Sequence, residues 1–523
     1  MLTERTIINA LIVGGSCILA PYLVFSTLTA NWIPIGIFGA LVLFFLTFFC
    51  FNDSLCLWPF IGLSIVGTLN FLPLPLNASN VFSILLIVYF VTSQVAMKQK
   101  RIKQGKLIFL VPILVVGLIV LYHMRSAGVR VLGEGSHEGS RPAFLILLTV
   151  VTYFCGINMA PPSVAFLQRI PIICVILSGI SNLPYLATTF FPSLTPYLYY
   201  ITDSVNVMAY FEAKPFANSA LESGIGRLGS LGPFGGTLQL YLIANYPLAT
   251  WIQPRRWWVP LLSLLCVAMV VASGFRNVLF GFLLLTFVGI WCHYTWRTLL
   301  IPAIAIVILG VLVVASLNNF ALVPVRQLPL IAQRTLSFLP GDWDPEALES
   351  AQSSNDFREN IHDIYIKEYM MKSPWLGNGF SIDKDEYSRL SDAFYRQNNA
   401  PPDFDPAYTE GKYFIVGKNF HTGWISVYDA VGAIGSAAFI TLGLAEIWVT
   451  GRLTFRGSEN QKSPIFPLHV WLTVGIVSSM ISFFTVFGDF AATFCGLCVY
   501  GLVLSQLCDI ENEAYTVVIP KPS

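Results

Sequence analysis

Three arginines of the sequence lie at the edges of apolar segments, close to turns or to runs of glycine. Arg227 lies in a glycine-dense stretch, Arg276 follows the turn Ser273-Gly274-Phe275, and Arg358 lies in a long polar segment. A guanidinium stays charged at physiological pH, and its planar fork of donors matches phosphate oxygens. All three are predicted to lie on the same side of a membrane, and this convergence favours an anionic ligand. The alternative is interfacial snorkelling or pairing with neighbouring carboxylates: Glu222, Asp356 and Glu359.

Two histidines are candidates for a general base. His421 lies where the polar segment returns to an apolar run, and His362 follows Arg358 by one helical turn. An unperturbed imidazole has a pKa of about 6.5, so it can accept a proton from a hydroxyl near neutral pH. A histidine at a membrane interface is also a common structural hydrogen-bonding residue. His421 is the first candidate and His362 the second.

The sequence gives no pattern typical of a metal site. The acidic cluster Asp383-Lys-Asp-Glu386 lacks the spacing and the glycine of a calcium loop, so a solvated surface is the better interpretation. Cys495 and Cys498 form a C-x-x-C pair, but no second ligand pair accompanies them, and packing residues are expected. We therefore expect neither a metal nor another cofactor.

The elements that carry these residues are predicted to be membrane helices. The sequence is 55% hydrophobic and only 11% charged, with a mean hydropathy of +0.68, whereas soluble domains carry about 25% charged residues. A net charge of +1 argues against a nucleic-acid partner. The fold class predicted is an all-α polytopic membrane protein with about 12–14 spans, each near the ~20 residues that cross a bilayer. Fourteen apolar windows support this: 7–28, 33–51, 56–73, 79–97, 107–122, 142–158, 168–190, 232–249, 257–274, 277–295, 298–316, 423–448, 466–487 and 489–507.

The charges of the short loops predict the orientation. Five basic residues between Lys98 and Lys106 place that loop in the cytoplasm by the positive-inside rule. Alternation then places both termini inside and the polar segment outside, although the outer loop 123–141 also carries three arginines. We divide the chain into N-terminal helices (1–222), helices bearing the outer arginines (223–316), a large outer loop (317–422), and C-terminal helices with a short cytoplasmic tail (423–523).

The outer loop is expected to fold as a lid of short helices. Apolar residues recur at helical spacing over 355–373, with Ser354 or Asn355 as the predicted cap and Pro374 after the end. Such a helix needs an apolar partner, for which we expect the membrane helices or the lipid boundary.

The order of these motifs resembles that of the O-antigen ligase and polysaccharide polymerase superfamily. The motifs are Ser273-Gly-Phe-Arg276, Arg358, Ser373-Pro-Trp-Leu-Gly-Asn-Gly379, His421, and Val431-Gly-Ala-Ile-Gly435. Arg227 resembles an earlier arginine of that family. The resemblance covers roughly residues 220–440. The sequence differs from the family at Thr422, where many relatives have Asn, and in the long segment between Gly379 and His421.

The resemblance implies a GT-C-like arrangement of helices in a bacterial inner membrane, with the large loop and the active site in the periplasm. It implies metal-independent, inverting transfer of a glycan from a polyisoprenyl-diphosphate donor to a hydroxyl of a glycan or glycolipid acceptor, in cell-surface or exopolysaccharide synthesis. His421 would be the catalytic base, and Arg227, Arg276 and Arg358 would bind the diphosphate.

A transporter or flippase of lipid-linked glycans is the alternative function. Many helices and arginines that contact lipid phosphates suit it as well. The one-sided loop, and the expectation that no charged residue lies within a membrane helix, favour the transferase.

Overall fold

The computed structural model describes residues 52–70, 76–97, 107–127, 141–205, 228–251, 253–294, 328–338, 342–395, 405–420, 422–455, 463–485 and 488–518. The predicted spans 7–28, 33–51 and 298–316 lie outside these residues. So do Arg227 and His421.

Among the described residues the chain is mostly helical with almost no strands, and the protein is an all-α polytopic membrane protein. Seven of these helices are long and apolar enough to cross a membrane, and two shorter ones are similarly apolar. The α-helices are α1 (Trp58–Gly62), α2 (Ala78–Met97), α3 (Leu107–Ala127), α4 (Arg141–Ile157), α5 (Val164–Phe190), α6 (Thr195–Tyr199), α7 (Leu231–Asn245), α8 (Trp258–Ala272), α9 (Arg276–His293), α10 (Leu330–Leu336), α11 (Pro345–Glu368), α12 (Lys384–Tyr395), α13 (Pro406–Val416), α14 (Gly423–Phe455), α15 (Phe466–Thr485) and α16 (Phe490–Val518).

The predicted span 56–73 is wrong. The helix α1 ends at Gly62, and the chain then forms a strand β1 (Thr68–Leu69) that pairs antiparallel with β2 (Leu76–Asn77). Gly67, with φ of 91°, turns the chain before β1. Hydropathy alone misses this break, because the turn consists mainly of apolar and small residues.

The largest hydrophobic core joins the C-terminal helices to the first half of the described chain. Helix α14 packs against α3 and α15, and α16 packs against α4. Fully buried residues at these contacts include Ile113, Phe439 and Phe494. Burial of these faces inside the bundle fixes the ends of α3, α4, α14 and α16 relative to one another.

Two acidic residues are buried within α14, contrary to the expectation of uncharged membrane helices. Asp429 is 2% exposed and Glu446 is 0% exposed. The Glu446 carboxylate lies beside Gly501 of α16. Buried carboxylates in a membrane helix are costly and are a recurring mark of functional sites, so both residues are candidates for a functional role.

The helix predicted over 355–373 is α11, and it begins earlier than expected. Its N-cap is Asp344, whose carboxylate accepts a hydrogen bond from the Glu346 amide at 3.0 Å, and Pro345 occupies the first helical position. An Asp-Pro pair is a strong start signal, and the predicted caps Ser354 and Asn355 lie inside the helix. The helix ends at Glu368, six residues before Pro374.

The apolar face of α11 packs partly on another loop helix and not on membrane helices alone. Ile361, Ile364 and Tyr365 form a buried cluster with Ile415 of α13, together with Phe420 and Ile425 around the start of α14. The loop helices therefore dock as a packed layer on the end of α14, which positions the polar residues of α11.

Candidate functional site

Arg276 and Arg358 come together although they are far apart in the sequence. Helix α9 begins at Arg276, directly after a turn in which Gly274 has φ of 74°. The Arg276 Nη2 donates to Asn355 Oδ1 at 3.3 Å, and Asn355 lies one turn before Arg358 on α11. The Arg358 guanidinium lies close enough to repel the Arg276 guanidinium electrostatically. The structure thus brings together two of the three predicted arginines.

This arrangement concentrates positive charge at the start of α9. Arg276 occupies the first turn of α9, where the helix dipole is positive, and Arg358 adds a second positive charge nearby. Within the described residues no acidic side chain forms a salt bridge with Arg358. A phosphate placed between the two guanidinium groups would offset both effects.

The glycine-rich approach to α7 lies against the Arg276 turn. The Leu228 amide donates to Ala272 O at 3.2 Å, and the Gly229 amide donates to the Tyr185 hydroxyl at 3.1 Å. A Cβ at Gly232 would lie 3.0 Å from Ser273 Cβ. The absence of a side chain there allows the start of α7 to approach the turn closely. The residues that follow Arg227 are therefore neighbours of Ser273 and Phe275.

His362 extends the row of polar residues on α11. Its ring packs edge-on against the Trp424 indole, with centroids 5.3 Å apart, and its side chain is 42% exposed. Its Nδ1 lies 3.5 Å from Asp363 Oδ1. Asn355, Arg358 and His362 are spaced three and four residues apart, so they share one face of the helix. That face leads from Arg276 to Trp424, which follows His421 by three residues.

A buried ion pair missed by the sequence analysis lies at the junction of loop and membrane helix. Lys418 Nζ is 2.6 Å from Asp429 Oδ2, and Asn378 Nδ2 donates to Asp429 Oδ1 at 2.8 Å. The Tyr365 hydroxyl donates to the same oxygen at 3.4 Å; burial, and then the Asp429 charge, raise the pKa of Tyr365. Lys418 adopts a left-handed backbone with φ of 59°, a strain that is more common at functional sites. The sequence does carry a signal for this site, since Asp429 is an acidic residue inside an apolar run.

The Pro-x-x-Gly-x-Gly motif and the Gly-x-x-Gly motif meet at a kink in α14. Gly432 there has φ of 64° and ψ of −167°, which interrupts the helical hydrogen bonding. The Ala433 amide donates instead to Pro374 O at 2.9 Å, and the Ile434 amide to Trp375 O at 3.2 Å. The Pro-x-x-Gly-x-Gly motif thus provides the carbonyl acceptors that the interrupted helix lacks. These hydrogen bonds fix the loop to the membrane domain.

We expect both glycines of this contact to be indispensable for stability. A Cβ at Gly377 (φ of 78°) would lie 2.6 Å from Asp429 O and from the Gly432 nitrogen, and one at Gly432 would overlap Gly377. Gly377→Ala and Gly432→Ala should each destabilise by roughly 2–4 kcal/mol, from left-handed strain plus overpacking. Thermal denaturation of purified protein measures this. Gly451→Ala, in the same helix with nothing within 4 Å, is the matched control. Equal melting temperatures in all three variants would contradict the role given to the motif.

A cavity of about 560 Å³ adjoins the buried ion pair. It lies where the starts of α2, α4, α14 and α16 meet the segments that follow Gly379 and Gly417. Its lining includes Asn80, Arg141, Lys418, Asp429 and Asp489. The sequence carries no local signal for this cavity, because its walls come from segments distant in the sequence.

No group of three or more histidine, cysteine or acidic residues that could hold a metal ion occurs in the part of the chain that the structure describes. Asp383, in the acidic cluster, caps α12 by accepting hydrogen bonds from the Asp385 and Glu386 amides, each at 3.1 Å. A structural role as a helix cap accounts for this residue.

No protein-family model matches the chain, and no curated protein matches its sequence.

Proposed function

We propose that the protein is a membrane glycosyltransferase of the O-antigen ligase or polysaccharide polymerase type. It transfers a glycan from a polyisoprenyl-diphosphate donor to a hydroxyl of a glycan or glycolipid acceptor, on the periplasmic side of a bacterial inner membrane. The observation that carries the proposal is the convergence of Arg276 and Arg358 at the start of a membrane helix. Two guanidinium groups there suit a diphosphate held at the membrane surface by its lipid.

The chemistry assigns one step to each group. The acceptor hydroxyl attacks the anomeric carbon while a base, His421, takes its proton. The bond between that carbon and the diphosphate oxygen breaks, and the polyisoprenyl diphosphate leaves with the electron pair. The arginines stabilise the charge that develops on the leaving group, a task that metal ions perform in other transferases. Attack from the opposite face inverts the anomeric configuration.

The packed loop supports this assignment. Helices α11 and α13 form a layer with a buried core of its own, and α11 carries both Arg358 and His362. A layer of this kind over the reacting groups excludes water and so favours transfer to a sugar over hydrolysis.

Transport of lipid-linked glycans is the second candidate, and Glu446 is the observation in its favour. A fully buried carboxylate within a membrane helix is typical of proteins that couple substrate movement to protons. The arginine pair supports recognition of the donor diphosphate, which both functions require, and the packed layer of loop helices favours transfer over transport.

Reconstitution separates the two functions. Purified protein in liposomes is supplied with a polyisoprenyl-diphosphate-linked oligosaccharide and an acceptor glycolipid extract. We expect covalent transfer of the oligosaccharide, seen by mass spectrometry as a larger acceptor and free polyisoprenyl diphosphate. Appearance of the intact donor on the opposite face of the liposome, with no change in the acceptor, would replace the transferase proposal by transport.

A further inference from the structure

The cavity beside the Lys418–Asp429 pair has the size and the polarity of a ligand site. Its volume of about 560 Å³ lies within the range of roughly 300–1,000 Å³ for small-molecule sites. It is lined by two basic and two acidic side chains among the described residues: Arg141, Lys418, Asp429 and Asp489. The lining charges therefore sum to zero, in contrast to the arginine pair.

The helix starts around the cavity do not make it an anion site, because side chains already bind several of their amides. Asn77 Oδ1 accepts from the Asn80 amide at 2.9 Å at the start of α2. Asp489 Oδ1 accepts from the Ala491 and Ala492 amides, at 2.8 and 3.3 Å, at the start of α16. The positive ends of these helices are thus partly neutralised. The electrostatic attraction for a diphosphate is therefore weaker in this cavity than at Arg276 and Arg358.

The remaining lining suits an uncharged sugar. Asn77, Asn80 and Asn419 border the cavity, and a side-chain amide offers both donors and acceptors, as hydroxyl groups require. Phe380 is half-buried, lines the cavity and lies nearly parallel to the buried Phe490, with centroids 6.3 Å apart and an interplanar angle of 11°. An apolar ring beside a few fixed polar groups is the usual composition of a specific small-molecule site.

The cavity and the arginine pair flank the same short stretch of chain. Phe420, which directly precedes His421 in the sequence, lines the cavity. Trp424, three residues after His421, contacts His362 on the arginine-bearing face of α11. We propose that this cavity binds the acceptor, through uncharged sugar residues at its reacting end, while the arginine pair binds the donor diphosphate. This assignment rests on the proposed transferase function.

A cavity-filling substitution tests the assignment. Ala492 lines the cavity and is exposed, so Ala492→Trp introduces an indole without removing a buried contact. The Michaelis constant for the acceptor should rise about tenfold or more, because the indole excludes the sugar from part of the site. The Michaelis constant for the donor should not change. Ala437→Trp, at an exposed position of α14 that does not line the cavity, should leave both constants unchanged. A rise in the donor constant alone, or no change in either, would overturn the proposal.

A direct measurement of sugar binding tests the proposed site without depending on glycan transfer. Saturation-transfer NMR on detergent-solubilised protein should detect neutral glucose- and galactose-containing trisaccharides with the native protein and Ala437→Trp, and not with Ala492→Trp. An oligogalacturonate and the head group of short-chain phosphatidylglycerol should give weaker signals that Ala492→Trp does not alter. A signal from none of the neutral sugars, or one equal in all proteins, would refute the sugar site. Sugar binding without transfer in the reconstituted system would refute the transferase proposal instead.

Discussion

Arg276→Ala is expected to lower the transfer rate by about 100- to 1,000-fold, the usual cost of removing one stabilising donor from a developing oxyanion. Arg276 lies at the start of α9 and reaches Asn355 of α11, so it is placed to contact a ligand bound between the two helices. Arg276→Lys keeps the charge and loses the planar fork, and it should therefore retain more activity than alanine. Initial rates of oligosaccharide transfer by purified protein at saturating acceptor measure both effects.

Arg358→Ala should resemble Arg276→Ala, and the double variant should lose less than the product of the two losses, since both side chains contact one group. Arg227→Ala is expected to be impaired as well. The matched control is Arg389→Ala, because Arg389 is an exposed arginine of loop helix α12, and its rate should equal that of the native protein. Full activity in the variants of Arg227, Arg276 and Arg358, with normal insertion, would disprove diphosphate binding by the arginines.

Local signals in the sequence predicted the membrane helices well. Apolar windows such as 107–122, 168–190 and 466–487 correspond to α3, α5 and α15. A bilayer-length apolar run has few alternatives to a helix, since its backbone groups must bond within the segment. The window 56–73 failed because the chain turns at Gly67, within a stretch whose mean hydropathy remains high.

Contacts between distant segments were harder to predict. The proximity of Arg276 and Arg358 was predicted from residue type and membrane side, and the structure brings them together; their binding of one ligand stays a prediction. The Lys418–Asp429 pair and the cavity were not predicted, because they depend on how α13 and the loop after Gly379 dock on α14. The start of α11 was misplaced by ten residues, although Asp344-Pro345 carries a recognisable cap signal.

The contact between the two glycine motifs gives a physical reason for the presence of both in the sequence. A glycine kink in α14 leaves amides that need acceptors, and the Pro374 and Trp375 carbonyls provide them. The same kink lies three residues beyond Asp429, whose carboxylate binds Lys418 and Asn378. The motifs therefore fix the return of the loop to the membrane at the start of α14.

His421→Ala is expected to have the largest effect on catalysis, a loss of roughly 100- to 10,000-fold, as for other general bases. Donor binding, which we assign to the arginines, should persist, so binding of labelled lipid-linked oligosaccharide should change little. Measurement of initial transfer rates and of the binding of labelled lipid-linked oligosaccharide, for native protein and variant, tests both expectations.

His362→Ala is the matched comparison for His421→Ala. His362 is half-exposed, and its ring packs on Trp424, so its removal should cost some packing and only a modest fraction of the rate. His362 packs on Trp424, which follows His421 by three residues in the sequence, so a general disturbance of this region would lower both activities together. A selective loss in His421→Ala with donor binding intact identifies it as the base. An inactive His362→Ala beside an active His421→Ala would instead assign the role of general base to His362, one turn from Arg358 on α11.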